Sequence, residues 1–389
     1  MHKTIPSLIL SLMLLPLNLL TAAPATPEVA LSSPLDYQVF QRRTVDEGTI
    51  VIRGSVLVEA DTWQYRVIAN GSDSTGVAWE NIKSPVASGK IALDVKTKPS
   101  AGWYRVEVRG LKDGKTVAEA AVEHVGLGEV FIVAGQSNAA NHGSEKQMTK
   151  SQLVSSFDGK QWSIANDPQR GASGNGGSFI PAFGDAMTAR YGVIIGIVPV
   201  AVGSTSVREW LPKGVRFKQN TTTGKGVVAK GDEFESDGVL FAKLCQPMKD
   251  LGIGGFRAVI WHQGESDAGQ SNAARQISGA QYVEFMEKLI RSSRNQAAWP
   301  VPWFTAIATF HSEQEQENTE FRKAMKSLWS KGLSWEGVDT DALRGDLRAG
   351  VHFNGNGLQK HGQLWAEKVG AWLDDQLAPP RDGPPAKDK

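Results

Sequence analysis

Phe131-Ile132-Val133-Ala134-Gly135-Gln136-Ser137-Asn138 is the stretch whose reading decides the fold. An apolar run rich in β-branched residues predicts a buried strand. It stops at Gly135, and a serine follows two residues on. A serine lifted off the end of a central strand, with a helix to follow, is placed as a nucleophile is placed. Serines near strand ends also cap and turn. The assignment therefore needs partners elsewhere, and His352 in Gly350-Val351-His352-Phe353-Asn354 is the first of them.

Outward from this stretch, strands alternate with helices, which predicts a parallel sheet covered on both faces. The expected strands are Val130–Ala134, Val193–Val200, Phe256–Trp261, Trp303–Thr309 and a short one near Trp335–Val338. The expected helices are Glu235–Leu251, Ala280–Gln296, Gln316–Trp329 and Leu358–Leu377. Polar insertions at 163–178 and 212–230 read as long loops without regular structure. The basic residues of the second, Lys213, Arg216, Lys218, Lys225 and Lys230, read as solvated surface, or more sharply as a face for an acidic glycan.

In such a sheet the site lies beyond the carboxyl ends of the strands. The residues there are Gln136-Ser137-Asn138, then Gly203-Ser204, then His262-Gln263-Gly264-Glu265, and His352 before the last helix. These types fit acyl transfer. A serine hydroxyl needs a base, and a histidine suits that task. The oxyanion needs preorganised donors, for which the Gly203 N–H, the Gln263 amide and the Ser137 N–H are expected. Arg208 and Trp210 after the Gly203 loop, with Asn138, are candidate sugar contacts, and Trp210 also reads as a packing residue. Asn141 and His142, just after the nucleophile turn, read either as pocket-lining residues or as caps of the helix to follow. His262 points away from Gln263 if the alternation persists.

Gly135-Gln136-Ser137-Asn138, Gly203, Trp261-His262-Gln263-Gly264-Glu265 and Val351-His352-Phe353 together resemble the ordered blocks of the SGNH hydrolases. The resemblance is to the branch holding sialate O-acetylesterases and related carbohydrate acetylesterases, over about 128–377. It implies a flavodoxin-like α/β fold, a serine esterase without metal or other cofactor, and removal of acetyl groups from sugars. It also implies an aspartate three residues before the catalytic histidine, where this chain has Ala349. The candidates to orient His352 are Glu265, then Asp346, then a backbone carbonyl or water. Glu265 also reads as a brace for the nucleophile loop. Ala349 keeps open a non-catalytic glycan-binding protein, and a lipid or thioester hydrolase of the same superfamily is the other alternative.

Upstream, residues 33–126 read as a small all-β sandwich, with alternation at Trp63, Tyr65 and Val67 and again at Tyr104, Val106 and Val108. Residues 1–25 have a signal-peptide layout, basic then apolar then small, so the product is expected to be exported, periplasmic or extracellular. No later run is long and apolar enough to span a bilayer. The tail 379–389 is proline-rich and charged, and is expected to be disordered.

The 389 residues carry 42 Lys+Arg against 41 Asp+Glu, a net charge of +1, which gives no footprint for nucleic acid. The single cysteine, Cys245, forbids an intramolecular disulfide and reads as a buried apolar residue. No Cys/His cluster has metal-ligand spacing. Oligomeric state is not legible.

Overall fold

The computed structural model describes residues 28–378, apart from 70, 71, 73, 84–88, 222, 270, 271, 273 and 314–317. The expected signal peptide and the tail 379–389 lie outside the described residues.

The chain begins with short strands: β1 (Val29–Ser33), β2 (Val39–Gln41), β3 (Gly48–Val56), β4 (Thr62–Ala69), β5 (Glu80–Asn81), β6 (Lys90–Thr97) and β7 (Tyr104–Lys112). β1, β3 and β6 form an antiparallel sheet, and β4 pairs with β5 and β7. The apolar residues of the alternating runs, among them Ile50, Ile52, Trp63, Val106 and Val108, meet in one core. β7 then pairs with the first part of β8 (Lys115–Gly135), a strand of 21 residues. The expected boundary between 126 and 128 falls inside this single strand.

The second part of β8 is the centre of a mixed sheet. It is followed by β9 (Val154–Phe157), β10 (Trp162–Ile164), α1 (Ile180–Tyr191) and β11 (Ile194–Pro199). The insertion expected to be structureless forms a small sheet from β12 (Arg216–Phe217), β13 (Val227–Lys230) and β14 (Glu233–Ser236). Arg216 there pairs with Glu233 and Glu235, so its basic residues are partly neutralised. Next come α2 (Val239–Leu251), β15 (Ala258–His262), α3 (Glu265–Ala268), α4 (Gly279–Ala297) and β16 (Trp303–Ile307). The chain ends with α5 (Thr319–Ser330), β17 (Trp335–Asp339), a hairpin of β18 (Arg348–Ala349) and β19 (His352–Phe353), and α6 (Gly355–Leu377).

The sheet order is β10-β9-β11-β8-β15-β16-β17. β11, β8, β15, β16 and β17 run parallel, in the chain order 2-1-3-4-5 of a doubly wound sheet. Strand alternation divides its side chains between two cores. Val130, Ile132 and Ala134 pack toward α2, α4 and α5, while Phe131 and Val133 pack toward α1 and α6. Cys245 is buried in the first of these cores, and burial pushes its thiol up to about 12.

Helix starts follow local capping. Ser278 and Gln281 make a capping box at α4, and Asn318 and Asn354 cap α5 and α6. The expected helix over 235–251 begins later, because Glu233–Ser236 is a strand and Gly238 is left-handed, at φ 77°.

Candidate active site

β8 lies between β11 and β15, where the strand order reverses, and the carboxyl ends of strands at such a point are where sites form in doubly wound sheets. The turn after β8 is locked to the turn after β15. Gly135 has φ 126°, and a Cβ there would lie 2.0 Å from the His262 carbonyl oxygen. Only glycine permits that approach. Gln136 donates its N–H to the same carbonyl at 2.9 Å. Its side-chain oxygen accepts from the N–H groups of Gly264, at 3.3 Å, and Ser266, at 3.1 Å.

Ser137–Ala139 is one 3-10 turn and not the start of a long helix. The chain leaves it because Asn141 pairs with the 163–178 insertion: its N–H donates to Ser173 O and its side chain bonds both ways with Gln169. Ser137 lies at the N-terminus of this turn, where the first N–H groups have no intrahelical acceptor. The Ser137 hydroxyl makes no hydrogen bond among the described residues, and Ser137 is 4% exposed.

Asn138 joins three parts of the site. Its amide donates to Glu265 Oε1 at 2.7 Å and to the Val351 carbonyl at 3.2 Å. A sugar contact through that NH2 group is thereby corrected, since it is committed inside the protein. Glu265 Oε1 also faces His262 Nε2 at 3.0 Å. Burial pushes the Glu265 carboxyl up, but the neighbouring His262 and the hydrogen bonds from His262 and Asn138 outweigh it and hold the group below the usual range. Glu265 Oε2 is buried without a hydrogen-bond partner among the described residues.

His352 stands on the β18–β19 hairpin, opposite Ala349. Arg348 clamps that hairpin by donating to the carbonyls of Leu343 at 2.5 Å, Val351 at 2.7 Å and Thr340 at 2.6 Å. Its guanidinium is 4.1 Å from the Phe310 ring centroid and 4.2 Å from that of Phe353. The His352 ring makes no hydrogen bond among the described residues. Burial, with help from His142, lowers its pKa, and the charge of Glu265 opposes that shift. Glu265 therefore reaches His352 through space and not by a hydrogen bond, while Asp346 is exposed at the hairpin's outer edge.

Sequence reasoning missed Ser173 and Asp267. The Gly203 N–H donates to Ser173 Oγ at 2.7 Å, so in this arrangement it is not open to an oxyanion. His142 Nε2 lies 3.2 Å from the same hydroxyl, and its ring centroid is 5.5 Å from that of His352. A Cβ on Gly203 would sit 2.5 Å from His142 Nε2, so a larger residue there would displace that imidazole.

Asp267 and Thr205 correct three further expectations. Gln263 is fully buried, and its amide donates to Asp267 Oδ2 at 2.8 Å and to the Thr205 carbonyl at 3.1 Å, so it is no oxyanion donor here. Arg208 is equally buried. It bonds Asp267, Ser206 and the carbonyls of Gln219, Asn220 and Arg275, which removes it from sugar contact. Trp210 is buried too, with its indole N–H on Thr205 Oγ1 at 2.9 Å. An acid two residues after Glu265 and an arginine in the preceding block were the available signals for this pair. Among the described residues no cluster of His, Cys, Asp or Glu could hold a metal ion, and no helix is long and apolar enough to cross a membrane.

Residues 127–371 match the family described as carbohydrate esterase, sialic acid-specific acetylesterase. Curated proteins give no match. Among solved structures, the chain is similar to a carbohydrate acetylesterase from Xanthomonas citri, with 17% identity and a TM-score of 0.49, covering 86% of this chain and 73% of that one. A protein from Arabidopsis thaliana has 20% identity and a TM-score of 0.44, covering 64% of this chain and 98% of that one. A Corynascus thermopiles carbohydrate esterase family 2 enzyme with a carbohydrate binding domain has 11% identity and a TM-score of 0.40, covering 85% and 92%. The family match spans well over half the chain and decides for an enzyme over a glycan-binding protein without catalysis. The chain belongs to the carbohydrate esterase family of sialic acid-specific acetylesterases, and it is a carboxylic ester hydrolase.

Proposed function

We propose that this enzyme is a serine esterase that removes O-acetyl groups from carbohydrates through an acetyl-enzyme intermediate. The observation that carries the reading is the double reach of Asn138, which ties the Ser137 turn to the carbonyl beside His352 and to Glu265.

Ser137 Oγ attacks the acetyl carbonyl carbon, and His352 takes the hydroxyl proton. The tetrahedral oxyanion is held by the Ser137 N–H and by the Gly203 N–H, which passes from Ser173 Oγ to the substrate oxygen. His352 returns its proton to the sugar oxygen as the carbon–oxygen bond breaks, leaving an acetyl-serine. Water then attacks that ester with His352 as base, releases acetate and restores the serine. Glu265 is the third member. It stabilises the imidazolium by its charge, a role that position 349 cannot fill because it carries alanine.

Turnover of p-nitrophenyl acetate tests the core of the reading. Ser137→Ala is expected to lose activity by at least about 10⁴-fold, and turnover that persists in that variant removes Ser137 as the nucleophile. A panel of acetylated sialic acid, acetylated polysaccharides and esters of growing acyl length names the substrate. Preference for long acyl chains would turn the reading to a lipid or thioester hydrolase. We further propose a β-sandwich unit over 33–126 that is joined to the esterase unit through β8, and export of the chain through residues 1–25. N-terminal sequencing of protein secreted by a producing cell tests the second point, with a start near Thr26 expected.

A further inference from the structure

Behind Glu265 lies a chain of buried polar groups that the proposed reaction does not use. Trp365 Nε1 is 2.8 Å from His361 Nε2, which is 3.2 Å from His262 Nδ1; His262 Nε2 is in turn 3.0 Å from Glu265 Oε1. Both histidines are fully buried. The protons in this chain can be counted. An indole N–H only donates, so His361 Nε2 accepts and the His361 proton sits on Nδ1. Burial holds His361 well below the usual range, in agreement with a neutral ring.

His262 Nδ1 then faces a bare nitrogen. Two bare nitrogens 3.2 Å apart in a dry core repel, so His262 Nδ1 carries a proton and donates it. That leaves Nε2 opposite a carboxylate oxygen, where a second proton is needed between them.

We propose that His262, protonated on both nitrogens, and the Glu265 carboxylate form a net-neutral ion pair, that Trp365 imposes this state through His361, and that the pair positions the Ser137 turn through Asn138. The groups facing the pair are Asn138 from the nucleophile turn, His361 from α6, Arg348 from β18, His352 from β19 and Tyr282 from α4. Of these only Arg348 carries a full charge at neutral pH, and it is attracted to Glu265. A carboxylate that accepts on Oε1 from the charged His262 and from the neutral Asn138 amide holds that amide in one place, and with it the backbone that presents Ser137.

The proposal rests on the Ser137 reading only in its activity arm, so its first test is spectroscopic. Long-range ¹H–¹⁵N spectra of the full chain labelled at histidine, assigned with His262→Gln, are expected at pH 7 to show His361 protonated on Nδ1 alone and His262 protonated on both nitrogens. A His262 ring with either nitrogen bare overturns the proposal without touching the nucleophile. In the activity arm, Trp365→Phe is expected to depress kcat/KM more at high pH than at low, moving the alkaline limb to lower pH. A loss of the same factor at every pH, the mark of a purely structural role, overturns it. His262→Gln keeps a donor at the Nε2 position and is expected to retain about 10–100-fold more activity than His262→Ala, the size of a lost hydrogen bond to a charged group. Equal losses in the two variants count against the positioning role.

Discussion

The turn that carries Ser137 and the hairpin that carries His352 meet at one site but are held in different ways. The serine turn is tied into the sheet by backbone contacts and by side chains with almost no exposure: Gln136, Gln263, Asp267 and Arg208. The hairpin has two residues per strand, is exposed at Ala349 and Gly350, and is held mainly by the Arg348 guanidinium between two aromatic rings, with single bonds from the Asn138 amide to Val351 O and from the Ser144 N–H to Phe353 O. Precision at the nucleophile thus comes from folding the sheet, and precision at the base from a few side-chain contacts, chief among them those of Arg348. Damage on the first side should appear as lost stability, and damage on the second as lost rate.

The largest expected effect tests the first half of that contrast. Arg208→Ala leaves Asp267 buried and unpaired, and should cost about 3–5 kcal/mol of stability. Denaturant unfolding checks it, and an unchanged midpoint with a raised KM would return Arg208 to the substrate. Arg348→Leu keeps apolar contact with Phe310 and Phe353 but removes three hydrogen bonds to carbonyls. It should lower kcat by roughly 100-fold, as loss of positioning does, with a smaller change in melting temperature than Arg208→Ala produces. A collapse of the fold instead would erase the contrast between the two regions.

Glu265→Gln keeps the shape and removes the charge that acts on His352. We expect kcat to fall about 10–100-fold, within the range for a lost charged interaction. The sign of the pH effect follows from the charges. A carboxylate favours the imidazolium, so its loss lowers the His352 pKa further, and the acid limb of kcat/KM should move to lower pH. His142→Asn is the gentlest change. It removes a ring that disfavours the charged form of His352, so the acid limb should move to higher pH, with little loss at the optimum. In the wild type, burial keeps His352 unprotonated to lower pH than an ordinary histidine, and its acid limb should lie below about 6.5. A pH profile of each variant checks both directions, and a limb that does not respond to either change separates the hairpin from Glu265 and His142 electrically.

The doubly wound sheet and the placement of Ser137 and His352 were legible because they depend on local pattern. A β-branched run ending in Gly135 is a strand end wherever it stands, and Asn354 before Gly355 caps a helix by its own side chain. Ala349 was legible in the same way, as a missing carboxylate at a known spacing. What each polar strand-end residue would face was not legible. Gln263, Arg208 and Trp210 sit where substrate contacts are expected, yet they turn inward to Asp267 and Thr205. Strand-end position sets the neighbourhood of a side chain, whereas its direction depends on which buried partner is in reach: Arg208 finds Asp267 59 residues on and Gln263 finds the Thr205 carbonyl 58 residues back, while Trp210 finds Thr205 within its own loop.

By itself, then, the sequence determined the sheet, the strand-end serine, the late histidine and the absence of the usual acid. Only the tertiary structure decided which buried groups pair. It put Glu265 between Asn138 and His262 and gave the Gly203 N–H to Ser173. Periodicity and capping act over a few residues and are written in the chain. A buried hydrogen bond between residues 127 apart exists only once two strand ends are side by side and water is excluded from them.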